Sequence, residues 1–194
     1  KLHYKTLTVN PDTFEKDILK FSNKYICFNA LHGPFGEDGS IQKILKKHKF
    51  KFTHSNIVPS KVCFNKYKSK KKMVKNHVPT PDFYLINAKS LNEKYLIKCK
   101  KKFDKFIIKP NESGSSFGIK IINNNNFKNF IRNLNKYKKE MNKHQKLIIE
   151  KYVVGKELTV SVLELDHKIK PLAVTEILSK NNFFDYKAKY TKGF

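Results

Sequence analysis

The chain has 194 residues, 39% hydrophobic and 13% aromatic, enough to bury a core in one or two domains. No apolar run could cross a bilayer and no charged-then-apolar start precedes a small-residue cleavage site, so membrane and secretory readings fall away and a cytoplasmic location is expected. The net charge of +25 would draw polyanions, yet Arg132 is the one arginine among 41 basic residues, and base reading and phosphate clamping favour the arginine fork.

Lysine, asparagine, isoleucine and phenylalanine are overused together, as an A/T-rich coding sequence produces without selection for a basic protein. The runs 68–72 and 98–102 are then solvated faces. Cys27, Cys63 and Cys99 form no CxxC pair, so buried or free thiols are expected rather than a disulfide framework or a zinc site. The start at Lys1 and the stop at Phe194 read as an internal fragment.

In chain order, strands and helices alternate, which predicts an α/β fold class. Residues 25–31 form a near-continuous apolar run, expected as a strand buried on both faces and ending at His32. A glycine-rich loop follows, Gly33-Pro34-Phe35-Gly36-Glu37-Asp38-Gly39, and a helix is expected to start with Ser40 near its cap. A short strand is predicted over 50–53 and a helix over 59–74. Pro79-Thr80-Pro81 reads as a link between two domains, because proline disfavours helix in the residue before it. Strands over 106–109 and 119–122 flank Gly114-Ser115-Ser116-Phe117-Gly118 as a hairpin, and the run 123–126 can cap a helix over 127–137. Further strands are predicted over 147–153, 158–163 and 172–177.

Three places carry possible chemistry. Lys109-Pro110 with the Gly-Ser-Ser-Phe-Gly loop combines a cation at a strand end with backbone amides and two hydroxyls, a cradle for polyphosphate, although an ordinary hairpin turn fits as well. The GxxxxGK[ST] order is absent. Glu150-Lys151-Tyr152-Val153 before Gly155 and Glu157 could pair with a purine edge and accept ribose hydroxyls, or be a plain amphipathic strand. His32, at a strand end before a loop that opens a helix, could orient a carboxylate or phosphate near neutral pH, or be structural.

Taken together and in order, Ala30-Leu31-His32-Gly33 with Gly36-Glu37-Asp38-Gly39, Asn65-Lys66, Lys109-Pro110 with Gly114 to Gly118, Glu150-Lys151 with Gly155-Lys156-Glu157-Leu158-Thr159-Val160, and Phe183-Phe184-Asp185-Tyr186-Lys187-Ala188-Lys189-Tyr190 resemble the D-alanine-D-alanine ligases of the ATP-grasp superfamily. The resemblance covers nearly the whole chain. It implies a partial N-terminal parallel α/β domain over 1–64, binding substrate, followed by an incomplete ATP-grasp fold over 65–194. It also implies ATP-dependent joining of two D-alanine molecules through an acyl phosphate, for peptidoglycan. Lys66 and Lys109 would hold phosphates, Glu150, Lys151 and Val153 would receive adenine, and Glu157 would receive ribose. Ser115 and Ser116, in the loop over the phosphates, would line the first D-alanine site with Tyr190. His32 would lie beside the substrates, and Lys189 and Tyr190 on a closing loop. A homodimer is implied.

Two departures stand out: Asn65 where the family has aspartate, and Phe184 where it has tyrosine. By the same resemblance, the ligands of Mg2+ (or Mn2+) and an arginine lie beyond residue 194, and a glutamate for the first D-alanine lies ahead of Lys1. The chain alone is therefore expected to be nearly inactive. The competing readings are another ATP-grasp carboxylate-amine ligase, including one making D-alanyl-D-lactate, an inactive remnant, and a basic nucleic-acid binder.

Overall fold

Short apolar runs separated by asparagine, proline and glycine give short elements, and in the computed structural model the chain divides into two units, Lys1–Lys71 and Lys72–Phe194. The structure describes residues 4–141 and 145–178.

In the first unit, a short helix α1 (Phe14–Asp17) leads to strand β1 (Ile26–Cys27), helix α2 (Ser40–Lys47), strand β2 (Lys51–Phe52) and helix α3 (Ile57–Phe64). Strands β1 and β2 pair in parallel, Ile26 with Lys51 and Cys27 with Phe52, as the resemblance implies for this half. Helix α2 turns Ile41 and Leu45, one helical turn apart, onto Phe14, Ile18 and Phe50. The long strand expected over 25–31 is a correction. Only two residues pair, and Ile26 and Phe28 remain 63% and 78% exposed, so the run is not buried on both faces. The cause is Asn29, whose side chain accepts from the Leu31 amide at 3.0 Å and donates to the Gly36 carbonyl at 2.7 Å, turning the chain out of the strand.

The helix expected over 59–74 is two helices, α3 and α4 (Lys66–Lys75), because Asn65 adopts an extended conformation between them. Its side chain accepts from the Lys68 amide at 2.9 Å and its carbonyl from the Ser69 amide, so Asn65 caps α4.

The second unit carries a four-stranded sheet in the order β3 (Phe83–Asn87), β6 (Lys146–Lys151), β4 (Phe106–Pro110), β5 (Lys120–Ile122), antiparallel throughout. One face packs on helices α5 (Glu93–Phe103), α6 (Phe127–Arg132) and α7 (Leu134–Glu140), joining Phe106, Ile108, Leu147 and Ile149 to Leu96, Cys99, Phe103, Phe130 and Tyr137. Helix α5 forms because Leu96, Cys99 and Phe103 recur at helical spacing behind Asn92, whose side chain accepts from the Tyr95 amide. The helix predicted over 127–137 is divided at Asn133, where the backbone leaves the helical region. A separate hairpin, β7 (Leu158–Leu165) and β8 (Lys168–Glu176), is exposed along its whole length.

The hairpin over 106–122 and the strands near 147–153, 158–163 and 172–177 stand where the sequence predicts them, while β3 and α5 are additions. The three cysteines are free thiols, and no described helix is long and apolar enough to cross a membrane. Of the lysine runs, Lys70 departs from the solvated reading, being 9% exposed.

Two outcomes follow. Ile108→Ala, at a fully buried position, is expected to destabilise the second unit by about 2–5 kcal/mol in urea unfolding. In the first unit, His54 stacks on Phe52 with ring centroids 4.9 Å apart, and both ring nitrogens are shielded without a hydrogen bond. Burial holds the ring below its ordinary 6.5. The unfolded ring therefore takes its proton first as pH falls. The contribution of His54 to folding is complete above about pH 6.5 and drains as pH drops through the lowered folded value. Melting temperatures recorded from pH 8 to 5 are expected to fall less steeply for His54→Phe than for the unaltered chain.

Candidate functional site

In the first unit the site is the loop after Leu31. Glu37 folds back so that its Oε2 accepts from the Gly33 amide at 2.7 Å, while its Oε1 lies 3.8 Å from His32 Nδ1. His32 itself is 75% exposed, open to a ligand. The Gly36 carbonyl receives the Asn29 amide at 2.7 Å and the buried Gln42 amide at 3.4 Å, and Gln42 also reaches Ser60 Oγ at 3.3 Å. Gly36 is required by space. A Cβ there would stand 2.5 Å from Leu31 Cβ.

Gly39 is the N-cap of α2, with Ser40 next to it as the first helical residue, and Asp38 Oδ1 accepts the Ser40 amide at 2.8 Å. Burial pushes the Asp38 carboxyl up, but hydrogen bonds from Ser40 and from backbone amides outweigh it and hold the group below its ordinary value. A fixed negative charge thus sits at the start of the helix, where the dipole favours it.

In the second unit the site lies along β4 and β6. Lys109 is the last residue but one of β4, and its ammonium donates to the Glu150 carboxylate on β6. Beyond Pro110 the loop over 111–118 opens with the Asn111 amide donating to the Lys146 carbonyl at 2.8 Å. Ser115 and Ser116 adopt left-handed backbone, φ 51° and 60°, at about 1–2 kcal/mol each. Such a conformation turns consecutive amides toward one side, the property that the phosphate reading needs. Gly118 closes the loop at φ 68°, with Met141 Cε 2.8 Å from where a Cβ would be, and its carbonyl accepts the Tyr137 hydroxyl at 2.9 Å. Burial pushes that hydroxyl far up, so it stays a donor.

The continuation of β6 supplies the segment predicted to receive a purine. The Lys151 amide donates to the Asp82 carbonyl and the Tyr152 amide to the Lys105 carbonyl, both at 3.0 Å, and the Lys105 ammonium lies 3.9 Å over the Tyr152 ring. Val153, at 63% exposure, and Val154, at 80%, offer apolar surface directly after it. Glu157 is exposed, and its carbonyl accepts the Ile177 amide at 2.8 Å.

A family model described as the D-Ala-D-Ala ligase C-terminus matches residues 66–193. The chain belongs to the D-alanine-D-alanine ligase family. It is 36% identical over 193 residues to the D-alanine-D-alanine ligase of Wolbachia pipientis wMel, covering 100% of this chain and 57% of that one. It superposes with TM-score 0.67 on the Bacillus anthracis D-alanine-D-alanine ligase complexed with ATP, at 26% identity, covering 90% of this chain and 54% of that one. The VanG D-Ala:D-Ser ligase of Enterococcus faecalis gives 0.65 at 28% identity, covering 86% and 47%. The chain spans about half the length of the curated relatives it matches. Its architecture is that of an α/β fragment of this ATP-grasp family.

Against that family frame, the structure brings Lys109 and Glu150 together and sets Ser115 and Ser116 in one turn. His32 and Lys66 belong to the first unit, with Lys66 opening α4 directly after its cap. The Asn65 departure has a simple consequence, because asparagine and aspartate cap a helix about equally well. Lys189, Tyr190 and Phe184 lie outside the described residues. Sequence reasoning assigned no role to Glu37, Asn29, Gln42 or Tyr137. Glu37 carried a signal, standing four residues after Gly33 within a glycine-rich motif; the other three act through contacts that spacing does not reveal.

Gly36→Ala is expected to cost more than about 1 kcal/mol in the first unit, read by thermal melting, since Leu31 backbone atoms 3.0 Å away cannot retreat. Tyr137→Phe is expected to cost about 1 kcal/mol in urea unfolding and to speed proteolytic nicking within 111–118.

Proposed function

We propose that this chain forms the nucleotide-binding and first-substrate portion of an ATP-dependent ligase that joins two D-alanine molecules. The reading assigns residues 1–64 to the substrate side and 65–194 to the ATP-grasp side. A D-alanine carboxylate oxygen attacks the γ-phosphorus of ATP and ADP leaves. The amine of a second D-alanine then attacks the acyl phosphate carbon, losing a proton as phosphate departs. Lys66 and Lys109 hold the phosphates and offset the charge that grows on the bridging oxygen. Glu150, Lys151 and Val153 receive adenine and Glu157 the ribose. Ser115 and Ser116, with Tyr190, line the first D-alanine, and His32 orients a substrate carboxylate or assists proton transfer. Lys189 and Tyr190, which lie outside the described residues, are assigned the task of keeping water from the acyl phosphate.

The observation that carries the reading is Lys109, held on β4 at the base of a loop whose central serines are left-handed, in a chain of this family. Magnesium, when bound, supplies charge neutralisation at the phosphates. Among the described residues no group of three or more His, Cys, Asp or Glu side chains is placed to hold a metal, so none of them is given that role. The same proposal places the protein in the cytoplasm, as a homodimer serving peptidoglycan synthesis. The kinship with a D-Ala:D-Ser ligase keeps D-serine, and by extension D-lactate, as alternative second substrates.

Calorimetric titration is expected to show ATP and ADP binding to the chain, with Lys109→Met at least about tenfold weaker, roughly 1.4 kcal/mol. Binding of DNA or RNA that is tighter than ATP binding and unaffected by this substitution would favour the basic-protein reading instead.

A further inference from the structure

The β4–β6 ladder sets Lys109 opposite Ile148 and Ile107 opposite Glu150. The two long charged side chains are therefore diagonal neighbours on the face of the sheet turned away from the helical core, a separation that long side chains bridge. The lysine side chain is 20% exposed and the glutamate 9%, so the pair lies largely out of water. An ion pair so placed costs desolvation and is costly to break from either side, which makes it a weak source of net stability and a strong source of geometry. A free lysine side chain carries rotamer entropy that a phosphate would otherwise have to overcome on binding.

We propose that Glu150 is a positioning residue for Lys109: its carboxylate fixes the ammonium at the end of β4, leaving further N–H donors for phosphate oxygens at the base of the loop over 111–118. The role rests on the nucleotide reading above and is added to the contact with adenine given there, because it acts through the lysine and so on the phosphates. It is the same logic by which a lysine and glutamate paired across two elements prepare a phosphate site in other phosphotransfer folds.

The test is a double-mutant cycle of Glu150→Gln and Lys109→Met in the full chain, titrated calorimetrically with ATP, ADP and adenosine, with circular dichroism to confirm folding. Glu150→Gln is expected to weaken ATP and ADP about five- to tenfold more than it weakens adenosine, and to cause no loss of ATP or ADP affinity beyond its loss of adenosine affinity once Lys109 is Met. Additive losses, an equal loss of adenosine affinity, or tighter ATP binding from relieved repulsion would each overturn the role. Should Glu150→Gln fail to fold, Glu150→Asp, which keeps the charge but shortens the reach, replaces it in the same cycle and is judged by the same coupling. Absence of ATP binding by the unaltered chain would overturn the nucleotide reading and this role together, whereas ATP binding without coupling would overturn this role alone.

Discussion

The register between β4 and β6 is the constraint on which the second unit depends. With Ile108 opposite Ile149 and Pro110 opposite Leu147, the alternate residues Phe106, Ile108, Leu147 and Ile149 are buried together with the apolar side chains of α5, α6 and α7. The residues between them, Ile107 and Lys109 on one strand and Ile148 and Glu150 on the other, then share the opposite face. A slip by one residue would turn the charges onto the helices and take the core residues away from them. Hydrophobic burial on one face therefore sets the electrostatic geometry on the other, and Lys109 is aimed at Glu150 by the packing of residues on the opposite face of the sheet.

Asparagine does much of the remaining work. Asn29 ends β1, Asn65 and Asn92 cap helices, and Asn126 accepts from the Asn123 amide while donating to the Ile121 carbonyl, closing the turn after β5. Each satisfies backbone groups that the short elements leave over. A composition that looks like coding bias is thus put to structural use. The hairpin β7–β8 stands apart from this economy: Val160, Val162, Ile169 and Val174 are 46–74% exposed, and a two-stranded ribbon by itself is marginal in water. Its alternation of Leu158, Val160 and Val162 with Thr159 and Ser161 has the pattern of a strand with one buried face.

Legibility followed locality. The hairpin over 106–122 was readable because two β-branched runs flank a glycine-serine turn, and the strand near 147–153 because Leu147-Ile148-Ile149 is uninterrupted. Helix ends were read less well. Asn65 and Asn133 sit inside periodic stretches, and nothing in the period shows that their backbone leaves the helix. Strand β3 went unread because it follows the proline pair at once and gains its identity only by pairing with β6, a distant segment of the chain. The apolar run 25–31 promised a long strand, but apolar composition cannot say whether a neighbour exists to pair with it, and Asn29 turns it away after two residues.

By itself the sequence determined the kinds of groups present and their order: the histidine and glycine loop, the lysine ahead of the serine turn, and the acidic residue that ends a strand, together specific enough to name the family. Only the tertiary structure decided which of them meet. Lys109 and Glu150 are 41 residues apart and touch through a strand register. Tyr137 reaches back 19 residues to hold Gly118, and Asn29 and Gln42 converge on one carbonyl from opposite sides of a loop. Local propensity and motif are properties of neighbouring residues. These contacts depend on how distant segments bury their apolar faces against one another, which no stretch of sequence specifies alone.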